Sequence, residues 1–328
     1  MNVLIIGGAG YIGSHCARTF LEEGDEVIVL DNLSTGHKDA VLTDTFYEGD
    51  VRDRALLDDI FRRHKIDVVL HFAALSLVGI SMTEPAEYYN NNVYGALVLL
   101  EAMRDHGVKK IVFSSTAAVY GEPEETPILE DAATNPTNPY GETKLSMEKM
   151  MHWFDVAYGI KSVALRYFNA AGASSDGRLG ERHNPETHLI PLVLQVPRGL
   201  REKVAIYGND YPTKDGTCIR DYIHVEDLAR AHYLAAKSLE DNTSKTYNLG
   251  TGTGYSVREV IETARKVTGH PIPAEETPRR PGDPAVLVAS GEKAKEELGF
   301  TPKKDLETMI RDAWNFYQDY DKKGEPHA

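Results

Sequence analysis

Val3-Leu-Ile-Ile-Gly-Gly-Ala-Gly-Tyr-Ile-Gly13 is the stretch from which the rest of the chain is read. Val3 to Ile6 has the unbroken apolar character of a strand buried on both faces, and Ile12, Cys16 and Phe20 then recur at helical spacing. Glycines fill the gap. Gly8, Gly10 and Gly13 fit the spacing of a dinucleotide-binding turn, and Gly7, Gly10 and Gly13 fit a wider variant of it. Glycine there permits a tight turn, close approach of backbone to a pyrophosphate, and close packing of helix on strand. The helix that follows, with Tyr11 and Ile12 at its start, offers unpaired N–H groups and the positive end of its dipole to that anion.

A second apolar run, Val27 to Leu30, ends in Asp31, eighteen residues after Gly13. A carboxylate there accepts hydrogen bonds from an adenosine ribose and repels a 2′-phosphate, so the expected cofactor is NAD rather than NADP. The plainer alternative makes Asp31-Asn32 a turn. Phe46 to Asp50 reads as a third strand ending in an acid, with Val51 beyond, where an adenine would lie; the same residues also suit a helix start, Asp50 and Asp53 near its N-terminus. Asp53 to His64 has helical spacing, and Val68 to Phe72 is a fourth strand leading into Ala73 and Ala74. A helix from Pro85 to His106 carries Asn90-Asn91-Asn92 against propensity, facing either a polar ligand or solvent. Ile111 to Phe113 is a fifth strand, with Ser114-Ser-Thr116 at its carboxyl end. This alternation predicts an α/β fold, a doubly wound parallel sheet of Rossmann-like kind.

Composition narrows the partners. The 328 residues hold 36 Lys and Arg against 50 Asp and Glu, a net charge of −14, which argues against nucleic acid or an anionic membrane and leaves anionic ligands to local arginines. Two cysteines, Cys16 and Cys218, indicate no disulfide framework and point to a reducing cytoplasm. Val68 to Ile80, the most apolar tract, is too short and too polar to span a bilayer, and no basic segment precedes the first apolar run. The histidines show no metal-ligand spacing on one element, so no metal is expected.

Tyr140 and Lys144 open a helix entered through Asn135-Pro-Thr-Asn-Pro139, and four residues apart they share one helical face. An ammonium beside a phenol favours the phenolate, lowering the tyrosine toward the range of a general base. A hydroxyl from Ser114 to Thr116 can bond the same substrate oxygen. Farther on, Arg220 and Arg279 are the cations expected on a diphosphate, guanidinium gripping phosphate oxygens in a fork; pairing with Asp221 or Asp283 is the alternative.

Gly7-x-x-Gly10-x-x-Gly13, Asp31, Ser114-Ser-Thr116, Tyr140-x-x-x-Lys144 and Arg166-Tyr-Phe-Asn169 together resemble the extended short-chain dehydrogenase/reductase family. Within it the likeness is to the UDP-galactose (UDP-glucose) 4-epimerase family, carried by Asp31-Asn32-Leu33, His71-Phe72-Ala73, Tyr88-Tyr89-Asn-Asn-Asn92, Gly208-Asn-Asp-Tyr-Pro212, Arg220-Asp-Tyr-Ile-His-Val225 and Arg279-Arg-Pro-Gly-Asp283. The resemblance implies inversion at C4 of UDP-galactose and UDP-glucose with tightly held NAD, by Tyr140, Lys144 and Thr116, in a homodimer. It implies Phe72, Ala73, Ala74, Asn92, Ser114 and Phe168 around the cofactor, and Asn169, His188, Leu189, Tyr207, Asp283 and Leu287 around the sugar nucleotide. His188 stands where many epimerases have asparagine. Leu287, where related enzymes have tyrosine or smaller residues, implies slow turnover of N-acetylhexosamine substrates; its plain reading is a core residue of an apolar strand. The related 4,6-dehydratases carry an Asp-Glu pair after the strand-end threonine, where this chain has Ala117 and Ala118.

The expected organisation is a cofactor lobe over residues 1–168, with later segments returning to it, and a smaller, discontinuous substrate lobe over 169–328. Ala170 to His188 is expected as a loop over the site, Ser256 with Glu259 as a capping box, and the tail from Lys322 as frayed.

Overall fold

The structure, a computed structural model, describes residues 1–280 and 283–322. Strand and helix alternate from the start: β1 (Asn2–Ile6), α1 (Tyr11–Glu22), β2 (Glu26–Asp31), β3 (Phe46–Glu48), α2 (Arg54–Arg63) and β4 (Val68–His71). Then come α3 (Val78–Ser81), α4 (Pro85–Tyr88), a π-helical turn (Tyr89–Tyr94), α5 (Gly95–Asp105), β5 (Lys110–Ser114), α6 (Pro139–Tyr158) and β6 (Lys161–Tyr167). Asp53 caps α2 by accepting from the Leu56 amide, and Asn138 caps α6 with Pro139 in its first turn. The Asp50 alternative is thereby resolved: β3 ends at Glu48, and the helix start belongs to Asp53.

The second half is built of shorter pieces. They are β7 (Asn169–Ala171), α7 (Leu189–Leu194), β8 (Val204–Tyr207), β9 (Ile219–Arg220), β10 (Tyr222–His224), α8 (Val225–Ser238), β11 (Lys245–Leu249), β12 (Tyr255–Ser256), α9 (Val257–Thr268), β13 (Ala274–Thr277), β14 (Val286–Leu287), α10 (Glu292–Leu298) and α11 (Leu306–Lys322). The capping box of Ser256 and Glu259 forms as expected. The tail beyond Lys322 lies outside the described residues.

Seven strands form one parallel sheet in the order β3-β2-β1-β4-β5-β6-β11. Val3 and Ile5 face one core with Cys16 and Phe20 of α1 and Leu228 of α8; Leu4 and Ile6 face the other with Leu57 of α2, Leu99 of α5 and Met147 of α6. Burial on both faces is why the run Val3 to Ile6 shows no polar alternation. Strand order reverses direction at β1, between β2 and β4, and there the ends of the sheet open a crevice. A third core joins α7, α9 and α11 through Val193, Ile261 and Ile310, beside the small sheets β7-β10, β8-β13 and β12-β9-β14.

Candidate active site

The glycine loop sits at the point where strand order reverses. Gly7 has φ +84°, its amide donates to Leu30 O, and a Cβ on it would lie 2.7 Å from Ala73 N. A Cβ on Gly13 would lie 2.1 Å from Gly7 O, so α1 packs on the turn at a distance only glycine allows. Gly10 is the N-cap of α1, no side chain caps that end, and its first turn holds no acid. The helix therefore presents bare N–H groups, a cradle suited to a pyrophosphate. Asp31 is buried beside it and accepts from the amides of Ala9 and Leu33 at 2.9 and 2.8 Å. Asn32 donates to Asp50, which also grips Arg52 through both oxygens. Bonding to Arg52 outweighs burial and holds Asp50 at about 2. These residues fit NAD: an open anion cradle beside a fixed carboxylate that a 2′-phosphate would have to approach.

One cleft of about 1010 Å³ runs from this loop toward β14. Gly7, Gly10, Tyr11, Ile12, Gly13, Asp31, Asn32, Asp50, Val51, Phe72, Ala73, Ala74, Ser114, Thr116, Tyr140, Lys144 and Phe168 line it, followed by Asn169, His188, Leu189, Tyr207, Arg220, Asp283 and Leu287. Leu287 also packs against the cluster of Val119, Tyr120 and Ile128 with Phe168, so it is both wall and core. The loop after β7 contributes residues 181 and 183 to the wall, and 185 to 192 follow.

Two expected residues stand elsewhere. Asn92 is wholly buried: its amide oxygen accepts from Leu75 N at 2.8 Å, and its nitrogen donates to Leu75 O at 3.0 Å and to Thr143 Oγ1 at 3.1 Å. Its hydrogen bonds are spent tying the loop after β4 to α6, between Tyr140 and Lys144, and the neighbouring Asn91 is the one that meets the cleft. Arg279 bonds Asp210 at 2.6 Å and stacks on Tyr211, away from the lining residues. Arg280 takes the cleft position, its guanidinium 3.9 Å over the Tyr207 ring. Arg220 does line the cleft and is paired with Asp283.

Tyr140 opens onto the cleft, one turn before Lys144, and both come from α6. The expected lowering of the phenol is not what the geometry gives. Burial pushes Tyr140 up to about 12, with the Thr116 hydroxyl acting the other way. Burial likewise pushes Lys144 down to about 7, opposed by Glu148 one turn farther along α6. Lys144 Nζ donates to Ser114 O at 2.8 Å, which uses one of its three N–H bonds and leaves two for other acceptors. Each partner thus resists ionising, the reverse of the sequence expectation.

Supporting contacts absent from the sequence reading surround the pair. Ser115 Oγ donates to Glu148, whose carboxylate pairs with Arg166 at 2.5 Å, and Arg166 also donates to Tyr120. Ser114 Oγ and Tyr167 OH share a hydrogen bond. His188 Nδ1 stands 2.8 Å from Glu181 and 3.1 Å from Glu186. Burial opposes charge on that ring, but the Glu181 carboxylate raises it to about 10.

Comparison with known proteins identifies the family. The model of the family described as GDP-mannose 4,6 dehydratase matches residues 4–313. The UDP-glucose 4-epimerase of Halalkalibacterium halodurans is 62% identical over 98% of this chain and 96% of its own. The chain belongs to the UDP-glucose 4-epimerase family, within the extended short-chain dehydrogenases/reductases. Two solved epimerases show the shared fold. That of Brucella ovis in complex with NAD has a TM-score of 0.94 at 49% identity, covering 96% of this chain and 98% of that one. That of Bifidobacterium longum in complex with NAD⁺ and UDP has a TM-score of 0.91 at 43% identity, covering 99% and 100%. Tyr140, Lys144, Thr116 and the glycines Gly7, Gly10 and Gly13 line one cleft in this chain.

Proposed function

We propose that this chain interconverts UDP-galactose and UDP-glucose by inverting C4 with tightly held NAD. The observation that carries the reading is Tyr140, with Thr116 beside it and Lys144 one turn on, in the same cleft as the open glycine loop. When bound, NAD supplies a reversible hydride acceptor. Tyr140 takes the proton of the C4 hydroxyl as the C4 hydrogen departs, and returns it after the 4-keto sugar has presented its other face. Thr116 steadies the oxygen, and Lys144 holds the cofactor's ribose and stabilises the phenolate.

Gly7, Gly10, Tyr11, Ile12 and Gly13 hold the pyrophosphate, Asp31 and Asn32 the ribose, and Asp50 and Val51 border the adenine. Phe72, Ala73, Ala74, Ser114 and Phe168 close around the remainder. Arg220, oriented by Asp283, and Arg280 grip the diphosphate; Asn169, His188, Leu189, Tyr207 and Leu287 border the rest of the sugar nucleotide.

The dehydratase reading suggested by the matching family model lacks its proton-transfer groups. Ala117 and Ala118 line the cleft beside Thr116, where an acid and a base would be required. Incubation with UDP-galactose and no added NAD should yield UDP-glucose; accumulation of a dehydrated 4-keto product, or of NADH in step with substrate, would defeat the proposal.

The lobe division at 168/169 is part of this reading, with β11 assigned to the cofactor lobe. A homodimer is proposed through α6 and the neighbouring π-helical turn, where Trp153, Val156, Tyr158, Tyr89 and Tyr94 expose apolar surface. A cytoplasmic setting is supported by two buried free thiols, Cys16 and Cys218. Among the described residues no helix is long and apolar enough to cross a membrane.

A further inference from the structure

Beside the cleft, Glu181-Arg-His183-Asn-Pro-Glu186-Thr-His188 brings four ligating side chains together on one loop. One donor atom from each of Glu181, His183, Glu186 and His188 lies within 4.8 Å of all the others. His188 Nδ1 is 2.8 Å from Glu181 Oε1 and 3.1 Å from Glu186 Oε1; His183 Nδ1 is 3.0 Å from Glu181 Oε1 and 3.9 Å from Glu186 Oε2. A tetrahedral site with bonds of about 2.0–2.1 Å has ligand-to-ligand edges of about 3.3 Å. These four contacts bracket that value, and with every donor pair within 4.8 Å the side chains can reach one ion by rotamer adjustment.

The loop's backbone is held from outside the cluster. Tyr317 OH donates to Glu181 O at 2.9 Å, His37 Nε2 bonds Arg182 O at 2.9 Å, and the Arg182 guanidinium forks onto Asp39 at 2.7 and 2.9 Å. Leu192 N donates to His188 O at 3.1 Å, fixing the loop to α7. The loop is thus tied to its surroundings, while Glu186 Oε1 also accepts from the Thr187 and His188 amides at 2.7 and 2.8 Å within it.

The Glu181 and Glu186 side chains are 5% and 7% exposed, and their ion-pair partners among the described residues are His183 and His188, with no lysine or arginine. Buried carboxylates need a cation or donors beside them; here protonated His188 is the cation, and the Thr187 and His188 amides are the donors to Glu186 Oε1. The second cluster of this kind, His224, Glu226 and Asp312, also holds a cation, because Lys304 Nζ bonds both Glu226 and Asp312. There the cation is a lysine from a separate segment, whereas in the first cluster it is a proton held on His188, which a metal ion displaces on binding.

We propose that Glu181, His183, Glu186 and His188 form a binding site for one divalent transition-metal ion of the zinc class. Two imidazoles and two carboxylates suit zinc, manganese or ferrous iron, whereas magnesium and calcium prefer all-oxygen shells. His188, the most exposed of the four, faces the cleft, so the ion enters from there and an anionic oxygen of a cleft-bound ligand can add as a fifth ligand. The site stands on its own geometry and is independent of the epimerase reading.

The test uses the full-length, NAD-loaded protein freed of metal with EDTA. It is titrated with Co²⁺ as a spectroscopic probe and with Zn²⁺ by calorimetry. One equivalent should bind, with visible Co²⁺ absorption displaced by Zn²⁺. His183→Asn and Glu186→Gln should each weaken binding by about 100-fold or more, since even supporting partners of ligands contribute 10–100-fold. Asp312→Asn, in the second cluster, should leave it unchanged. Retained NAD and melting temperature confirm the fold of each variant, and if one fails to fold the other decides. Absence of stoichiometric binding in the wild type, or Zn²⁺ affinity unchanged in a folded variant, would overturn the assignment.

Discussion

Lys144→Met tests how the buried ammonium is held. Burial lowers Lys144 from 10.5 to about 7, which corresponds to about 5 kcal/mol of destabilisation while the group is charged in both folded and unfolded chains. The penalty is complete below pH 7, because both states then carry the proton. Between pH 7 and 10.5 the unfolded chain binds more protons than the folded one, so wild-type stability rises with pH, and above 10.5 the penalty is gone. At pH 7 the term is about 4 kcal/mol and at pH 9.5 about 1.5 kcal/mol. Methionine keeps the length of the chain but strands Ser114 O, which accepts from Nζ at 2.8 Å, a loss of about 1–3 kcal/mol. The variant should therefore be more stable than wild type by about 2 kcal/mol at pH 7, and this advantage should be lost or slightly reversed, a change of about 3 kcal/mol, on going to pH 9.5. Urea denaturation of both proteins, freed of NAD so that ligand binding adds nothing, reads the gap directly. A difference that stays flat across this range would show that Lys144 does not titrate there and that water reaches its ammonium.

Tyr140→Phe should keep UDP binding while turnover slows by about 10²–10⁴-fold; unchanged turnover in a steady-state assay would require another base. Gly13→Ala places a Cβ 2.1 Å from Gly7 O, so the purified variant should lose its NAD, read as released nucleotide after acid denaturation. Arg280→Ala should raise KM for UDP-galactose by about 10-fold or more, the scale of a lost charge-assisted bond, whereas Arg279→Ala, bound to Asp210, should leave KM within about 2-fold, with comparable effects from the two counting against the assignment of Arg280. Leu287→Tyr should suppress slow conversion of UDP-N-acetylglucosamine while sparing UDP-galactose, a discrimination of about 1–3 kcal/mol; equal loss of both activities would make Leu287 purely a packing residue.

The glycine loop, the five strands from β1 to β5 and the Tyr140/Lys144 face were legible because each rests on local spacing. Residues that depend on tertiary partners were not. Asn92 looked like a ligand-facing helix residue, yet its amide bridges Leu75 and Thr143, fifty-one residues away in the second case. Arg279 and Arg280 are adjacent and chemically identical in sequence, and only the strand geometry around Tyr207 and Asp210 separates them. Spacing places Lys144 one turn from Tyr140 but does not reveal the burial that raises the phenol, nor that Lys144 Nζ bonds Ser114 O. β6 was missed since Arg166 interrupts its apolar run; that arginine is buried against Glu148 rather than in water. The Glu181-x-His183-x-x-Glu186-x-His188 spacing was present to be read, but it fits neither a helical nor a strand period.

The partner of β6 in the sheet is β11, and Lys245 pairs with Val163 across more than eighty residues. During synthesis β6 must therefore wait, its outer edge bare, until the whole stretch through β7, α7 and α8 has left the ribosome. α8 is equally late, although Leu228 and Ala235 complete the core under α1. A nascent chain stopped near residue 168 has an unpaired strand edge and an uncovered apolar face, both hazards for misassociation. The cofactor-binding half is thus not an autonomous folding unit, and a fragment cut at the apparent boundary should aggregate unless residues 225–249 are supplied with it.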